Sequence, residues 1–249
     1  MGRQKGEYAV GTSNGSLNGM KLFCLPYAGG SATVFTKWKR ELDSRIELIP
    51  VELAGRGRRF VEPFYPSLCD GVKDISTAIM DQIGDKGYSL FGHSMGTLYI
   101  CELMKQIQAN GWEKPRHLFL SGMYPPHIHD KKKIHHLPDD EFWQEVIRLG
   151  GTPKQVSENK ELMGIFTPVL RSDYKNVESY FTEAPQEKWD IDITVLVGDE
   201  DEITSMGEIR QWKEYTTQSC SIVTFQGGHF FINEDEKKVI DLINRTLIA

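Results

Sequence analysis

Ser94 stands at the centre of the pentapeptide GHSMG, Gly92 to Gly96, which follows the apolar run YSLF and precedes a helical pattern beginning at Thr97. Strand, sharp turn and helix in that order suit a nucleophile elbow, in which the turn crowds backbone so closely that only glycine fits two positions either side of the serine. At the start of the following helix the backbone N–H of Met95 would face a reacting carbonyl, and the helix dipole favours negative charge there, giving half of an oxyanion hole. The other half is expected from the glycine-bearing loop LPYAGGSA, Leu25 to Ala32, through the amide of Tyr27 or, as the alternative, of Ala28.

A serine hydroxyl needs an adjacent base, and an imidazole with a pKa of about 6.5 can take and return its proton. Of seven histidines, His93 belongs to the elbow, His117 opens an apolar run, and His127, His129, His135 and His136 lie in or beside a helical stretch. His229 remains, at the end of SIVTFQGGH, where Gly227 and Gly228 permit a tight loop and Phe230 and Phe231 can anchor it. The orienting acid is expected one strand earlier, in VLVGDEDEI. Asp201 is chosen because the third position after Gly198 can turn back toward the histidine loop; Asp199 is the competitor, and Glu200 and Glu202 read as solvated charges. The order Ser94, Asp201, His229 is the one α/β hydrolases use.

Those residues need elements to hold them. Apolar runs suited to buried strands start at Lys21, Ile46, Tyr88, His117, Ile193 and Ser221, and most are separated by helical spacings such as Val72, Ile75, Ile79 and Ile83, or Val239, Ile240, Ile243 and Leu247. Alternating strand and helix predicts an α/β fold with a mostly parallel central sheet flanked by helices, although the strand order cannot be read. Between Pro125 and Pro185 the alternation stops, and helical patterns carrying Phe142, Trp143, Phe166, Tyr174 and Tyr180 replace it. This stretch, about 128–185, is expected to be a helical lid over the carboxyl edge of the sheet, where such sheets bind ligands; the competing expectation makes its aromatics ordinary core.

The 249 residues fit one domain, 21–249, behind a polar flexible leader, 1–20, that lacks the apolar stretch of a secretory signal. A cytoplasmic location is therefore expected, with Cys24, Cys69, Cys101 and Cys220 as free thiols. The net charge of −6 gives no general attraction to nucleic acid or an anionic membrane, and no cofactor or metal is expected. Two basic clusters, Arg56, Arg58 and Arg59 in GRGRR and Lys131 to Lys133 in DKKKIHH, read first as solvated loops.

Beyond GHSMG, the chain carries LPYAGGSA, AGRGRR followed by EP, SGMYPP, LPDDEF, RLGGTP, LRSDY, GDED and GGHFF. This series resembles the type II thioesterases that accompany nonribosomal peptide and polyketide synthetases, with Ala54 where that family often has proline. The resemblance implies an α/β-hydrolase fold with a helical lid. It also implies an enzyme that removes stalled or misprimed acyl groups from the phosphopantetheine arm of acyl or peptidyl carrier proteins, with the arginine and lysine clusters as docking groups; a monomer is expected. Two other functions share these parts: a carboxylesterase acting on free esters, and a non-catalytic factor that binds a synthetase.

Overall fold

The computed structural model describes residues 19–128 and 132–248. Most of the expected leader, together with His129 and Lys131, lies outside the described residues. Met20, assigned above to the leader, instead opens the first strand.

Six strands form one sheet: β1 (Met20–Leu25), β2 (Ile46–Pro50), β3 (Tyr88–His93), β4 (His117–Ser121), β5 (Asp192–Gly198) and β6 (Cys220–Phe225). Their order is β2-β1-β3-β4-β5-β6, and every neighbouring pair is parallel. The four inner strands are buried almost throughout and read as unbroken apolar runs, while the edge strands β2 and β6 are only partly covered; all six start within one residue of the expected position. Alternate side chains then feed opposite cores. Phe23, Leu25, Leu90, Leu118, Leu120, Val195 and Val197 pack with α1 (Leu68–Ile83) and α2 (Met95–Asn110). Leu22, Cys24, Phe91, Phe119 and Leu196 pack on the other face with Phe35, Trp38 and the C-terminal helix.

Helix boundaries follow local chemistry. The Ser67 hydroxyl accepts the Asp70 N–H at the start of α1. At the end of α2, Gly111 adopts φ 61° and donates its N–H back to Ile107 and Gln108, a left-handed cap that suits glycine.

Between β4 and β5 lie α3 (Asp139–Arg148), the short α4 (Lys154–Ser157) and the long α5 (Lys160–Ser179). They build a small core of their own from Ile134, Phe142, Trp143, Val146 and Leu170. The aromatic residues of this insertion divide: Phe142 and Trp143 are buried in its core, Phe166 is exposed, and Tyr180 donates its hydroxyl to Glu102 on α2. After β5 come α6 (Met206–Ile209) and, beyond β6, α7 (Phe231–Glu234) and α8 (Glu236–Ile248). No helix among the described residues is long and apolar enough to cross a membrane.

Candidate active site

The turn after β3 carries the one positive-φ residue other than glycine among those described, Ser94, at φ 53° and ψ −116°. Such a conformation costs free energy and persists only where neighbours enforce it. Here the Ser94 N–H donates to the Ser121 carbonyl on β4 (2.7 Å), and the Thr97 hydroxyl donates to Gly92 and Ser121 carbonyls. The flanking glycines are required by contact. A Cβ on Gly92 would lie 2.4 Å from the Gly96 carbonyl, and one on Gly96 would lie 2.2 Å from the Leu25 carbonyl. The elbow is therefore wedged between β1 and α2, with its serine raised above the sheet edge and the buried Met95 as first residue of α2.

His229 and Asp201 reach this edge from the ends of β6 and β5. The imidazole Nδ1 lies 2.9 Å from Asp201 Oδ2, and both side chains are almost wholly buried. Oδ1 of the same carboxylate accepts the Ile203 N–H at 2.9 Å, so the acid is held at both oxygens. Asp199, the competing choice, is engaged differently: it accepts the Gly227 N–H at 2.8 Å and shapes the histidine loop from outside. Gly227 has φ 117°, and a Cβ on Gly198 would strike the Gly227 and Gly228 carbonyls at 2.4 Å, so the backbones of the two loops approach this closely only because these positions are glycine. Phe231 is the anchor, stacked on Phe225 at 5.2 Å. Phe230, expected to share that role, instead lines the site and packs edge-on to Tyr27 at 4.9 Å.

The other described histidines are engaged elsewhere or lie away from Ser94. His117 meets Thr194, His127 meets Tyr215 and Gln211, and His135 meets Glu178. His93 is fully buried beside His229, with Nδ1 2.8 Å from the Ser121 hydroxyl. Burial first, and then the neighbouring imidazole, hold it well below the usual histidine range, so it remains neutral.

Ser94 and His229 open into one cavity of about 220 Å³, whose walls include Tyr27, Ala28, Met123, Tyr174, Val177 and Phe230. A second cavity of about 320 Å³ adjoins it, lined by Trp143, Val146, Val156, Phe166 and Leu170 from the insertion. Tyr27, Ala28, Leu149, Tyr174 and Phe230 line both. The wall of the Ser94 cavity also carries a chain of ion pairs, Lys132 to Glu145 (2.6 Å), Glu145 to Arg148 (3.2 Å) and Arg148 to Glu202. Glu202 is thus tied to the insertion although sequence alone made it a free surface charge; no spacing could have shown this, since Arg148 lies 54 residues away.

The basic cluster after β2 is corrected in two of its three members. Arg56 is 6% exposed and paired with Asp173 of α5, and Arg59 is engaged by Glu62, Asp74 and the Tyr65 hydroxyl. Neither offers a free charge to a partner, whereas Arg58 is exposed.

A family model described as a thioesterase domain matches residues 20–247. Gramicidin S biosynthesis protein GrsT of Aneurinibacillus migulanus is 33% identical over 98% of this chain and 95% of its own. Among solved structures, ClbQ from the colibactin NRPS/PKS pathway aligns with a TM-score of 0.88 and 36% identity, covering 92% of this chain and 97% of that one. YbtT, a type II thioesterase from the yersiniabactin NRPS/PKS pathway, gives 0.82 and 28%, covering 93% of each. The parallel sheet is accordingly that of an α/β hydrolase, and the protein belongs to the thioesterase domain family.

Proposed function

We propose that this thioesterase is a type II, editing enzyme, which clears stalled or misprimed acyl groups from the phosphopantetheine arm of carrier proteins serving a synthetase. The observation that carries the reading is the shared cavity: a strained Ser94 and an Asp201-paired His229 open into one space under the insertion, its walls partly apolar and partly lined by ion pairs. The likeness to proteins of NRPS/PKS pathways supplies the substrate class. Four cysteines present as free thiols suit a cytoplasmic site of action.

In this reading Ser94 Oγ attacks the thioester carbonyl while His229 Nε2 takes its proton. Asp201 keeps Nδ1 protonated and so leaves Nε2 free to accept. The amides of Met95 and Tyr27, or of Ala28, receive the negative charge on the tetrahedral oxygen. The phosphopantetheine thiol leaves without needing strong acid help, because a thiol of pKa about 8.5 is a far better leaving group than an alcohol. Water activated by His229 then hydrolyses the acyl-enzyme. The acyl group arrives on the carrier's own arm, so no resident cofactor enters the scheme.

The test is hydrolysis of a matched pair, one acyl group presented on a carrier protein and as a free alkyl ester. Preference for the carrier-bound thioester in kcat/KM by at least about a hundredfold, ~2.7 kcal/mol of transition-state discrimination, is expected. A wide preference for the free ester would replace the editing reading with that of a general esterase.

A further inference from the structure

Two sequence motifs have no part in the triad, AGRGRR after β2 and LRSDY in α5, yet the fold joins them. Arg56 and Asp173, 6% and 3% exposed, form a two-pronged pair: Nη1 to Oδ2 at 2.5 Å and Nη2 to Oδ1 at 2.8 Å. The same Oδ2 accepts the Gly29 N–H at 2.7 Å, and Arg56 Nη1 also donates to the Gly30 carbonyl at 3.3 Å. A carboxylate from the insertion and a guanidinium from the core thus grip two consecutive residues of the loop after β1.

That grip falls on a turn whose shape matters. The Gly30 N–H donates to the Tyr27 carbonyl at 2.9 Å, and Gly29, third residue of this turn, has φ 76°, the type II signature. Type I and type II turns differ by a flip of the central peptide, and the N–H of that peptide belongs to Gly29. Asp173 is its acceptor, so the carboxylate selects one of the two forms. Leu170, on the same helix, closes over the turn so tightly that a Cβ on Gly29 would lie 2.5 Å from its Cδ2. The turn carries the Tyr27 and Ala28 amides. A purely architectural role accounts for less: α5 and the chain just after it already meet the core through Asn176 to Tyr65 and Tyr180 to Glu102, and buried ion pairs give little net stability over apolar replacements.

We propose that Asp173 is a positioning residue of the reaction. From the insertion it fixes the turn that presents the oxyanion amide, and the hole is complete only while α5 is seated on the loop. The inference rests on Ser94 being the nucleophile and on the Tyr27 or Ala28 amide serving the hole.

The experiment uses the full chain and a short-acyl N-acetylcysteamine thioester, which removes carrier docking from the measurement. Functional sites are counted by intact mass after phosphonate labelling of Ser94 run to completion. Asp173→Leu alone strands a buried guanidinium, so the informative variant is Arg56→Met with Asp173→Leu, which removes both charges and the acceptor of Gly29. Its kcat per labelled site is expected to fall roughly 30- to 100-fold with KM within about threefold, somewhat less than the roughly 10²- to 10³-fold that outright removal of one oxyanion donor costs. Arg56→Met with Asp173→Asn, which leaves an oxygen facing Gly29 and no stranded guanidinium, is expected to recover most of that loss. A leucine double variant within about threefold of wild type per site, or an asparagine double variant as slow as the leucine one, would overturn the proposal. Ser94→Ala run in parallel separates the two readings: if it still hydrolyses the thioester, the serine reading fails; if it is inactive, the outcome above concerns Asp173 alone.

Discussion

Asp201→Asn tests the choice of acid where the structure makes the outcome most specific. The buried carboxylate has two partners, the Ile203 N–H at Oδ1 and His229 Nδ1 at Oδ2. An asparagine can keep only one oxygen. If that oxygen stays on the Ile203 amide, the side-chain NH₂ faces Nδ1 and the imidazole must carry its proton on Nε2, the tautomer that cannot take a proton from Ser94. The geometry survives while the base is disabled, a change that costs about 10⁴-fold in kcat, or ~5.4 kcal/mol of transition-state stabilisation. Asp199→Asn is the matched control. Asp199 is exposed and needs only one acceptor oxygen for Gly227, which asparagine retains, so kcat is expected to stay within about threefold. Thiol release from an acyl thioester, followed with a colorimetric disulfide reagent on variants of matched thermal stability, measures both. An Asp201→Asn variant within about tenfold of wild type, or an Asp199→Asn variant equally impaired, would refute the assignment.

Stability is expected to fall as the pH drops from about 6.5 to 5, because burial pushes His117 down to about 4 and holds His93 low as well. Over that range the unfolded chain binds protons that the folded chain does not, so stability rises with pH, and His117 accounts for roughly 1.6 kcal/mol of the change. His117→Gln, which keeps a partner for Thr194, should flatten urea-derived stability over this range by about that amount; an unchanged slope would dismiss the mechanism. Phe230→Ala should join the two cavities, since its side chain lines both, and shift acyl preference toward longer chains by about tenfold in kcat/KM. A chain-length series with the same optimum as wild type would count against that partition.

How far the sequence could be read followed from what each feature depends on. The inner strands were legible because a parallel sheet covered on both faces demands continuous apolar runs, and the elbow because its glycines answer a local steric requirement. Strand order was not, since it depends on which elements pack together in space. Asp201 could be ranked above Asp199 only by distance along the loop; that Asp201 lies against His229 Nδ1 while Asp199 accepts the Gly227 N–H needs coordinates. Arg56 shows the limit most clearly. In sequence it belongs to a basic run that suits a solvated loop, and only the approach of Asp173, 117 residues away, makes it a buried clamp. Phe230 and Phe231 are adjacent and alike, yet one fills the core and the other lines the cavity, a division that the tight loop at Gly227 and Gly228 imposes.

The most direct measurement is intact-protein mass spectrometry of the chain mixed with an acyl-loaded carrier protein, read against time for wild type and Ser94→Ala. Wild type should return the carrier to its free-thiol mass, with a transient acyl adduct mapped to Ser94, while Ser94→Ala leaves the carrier loaded. Deacylation of the carrier by Ser94→Ala at the wild-type rate would contradict nucleophilic catalysis at the elbow.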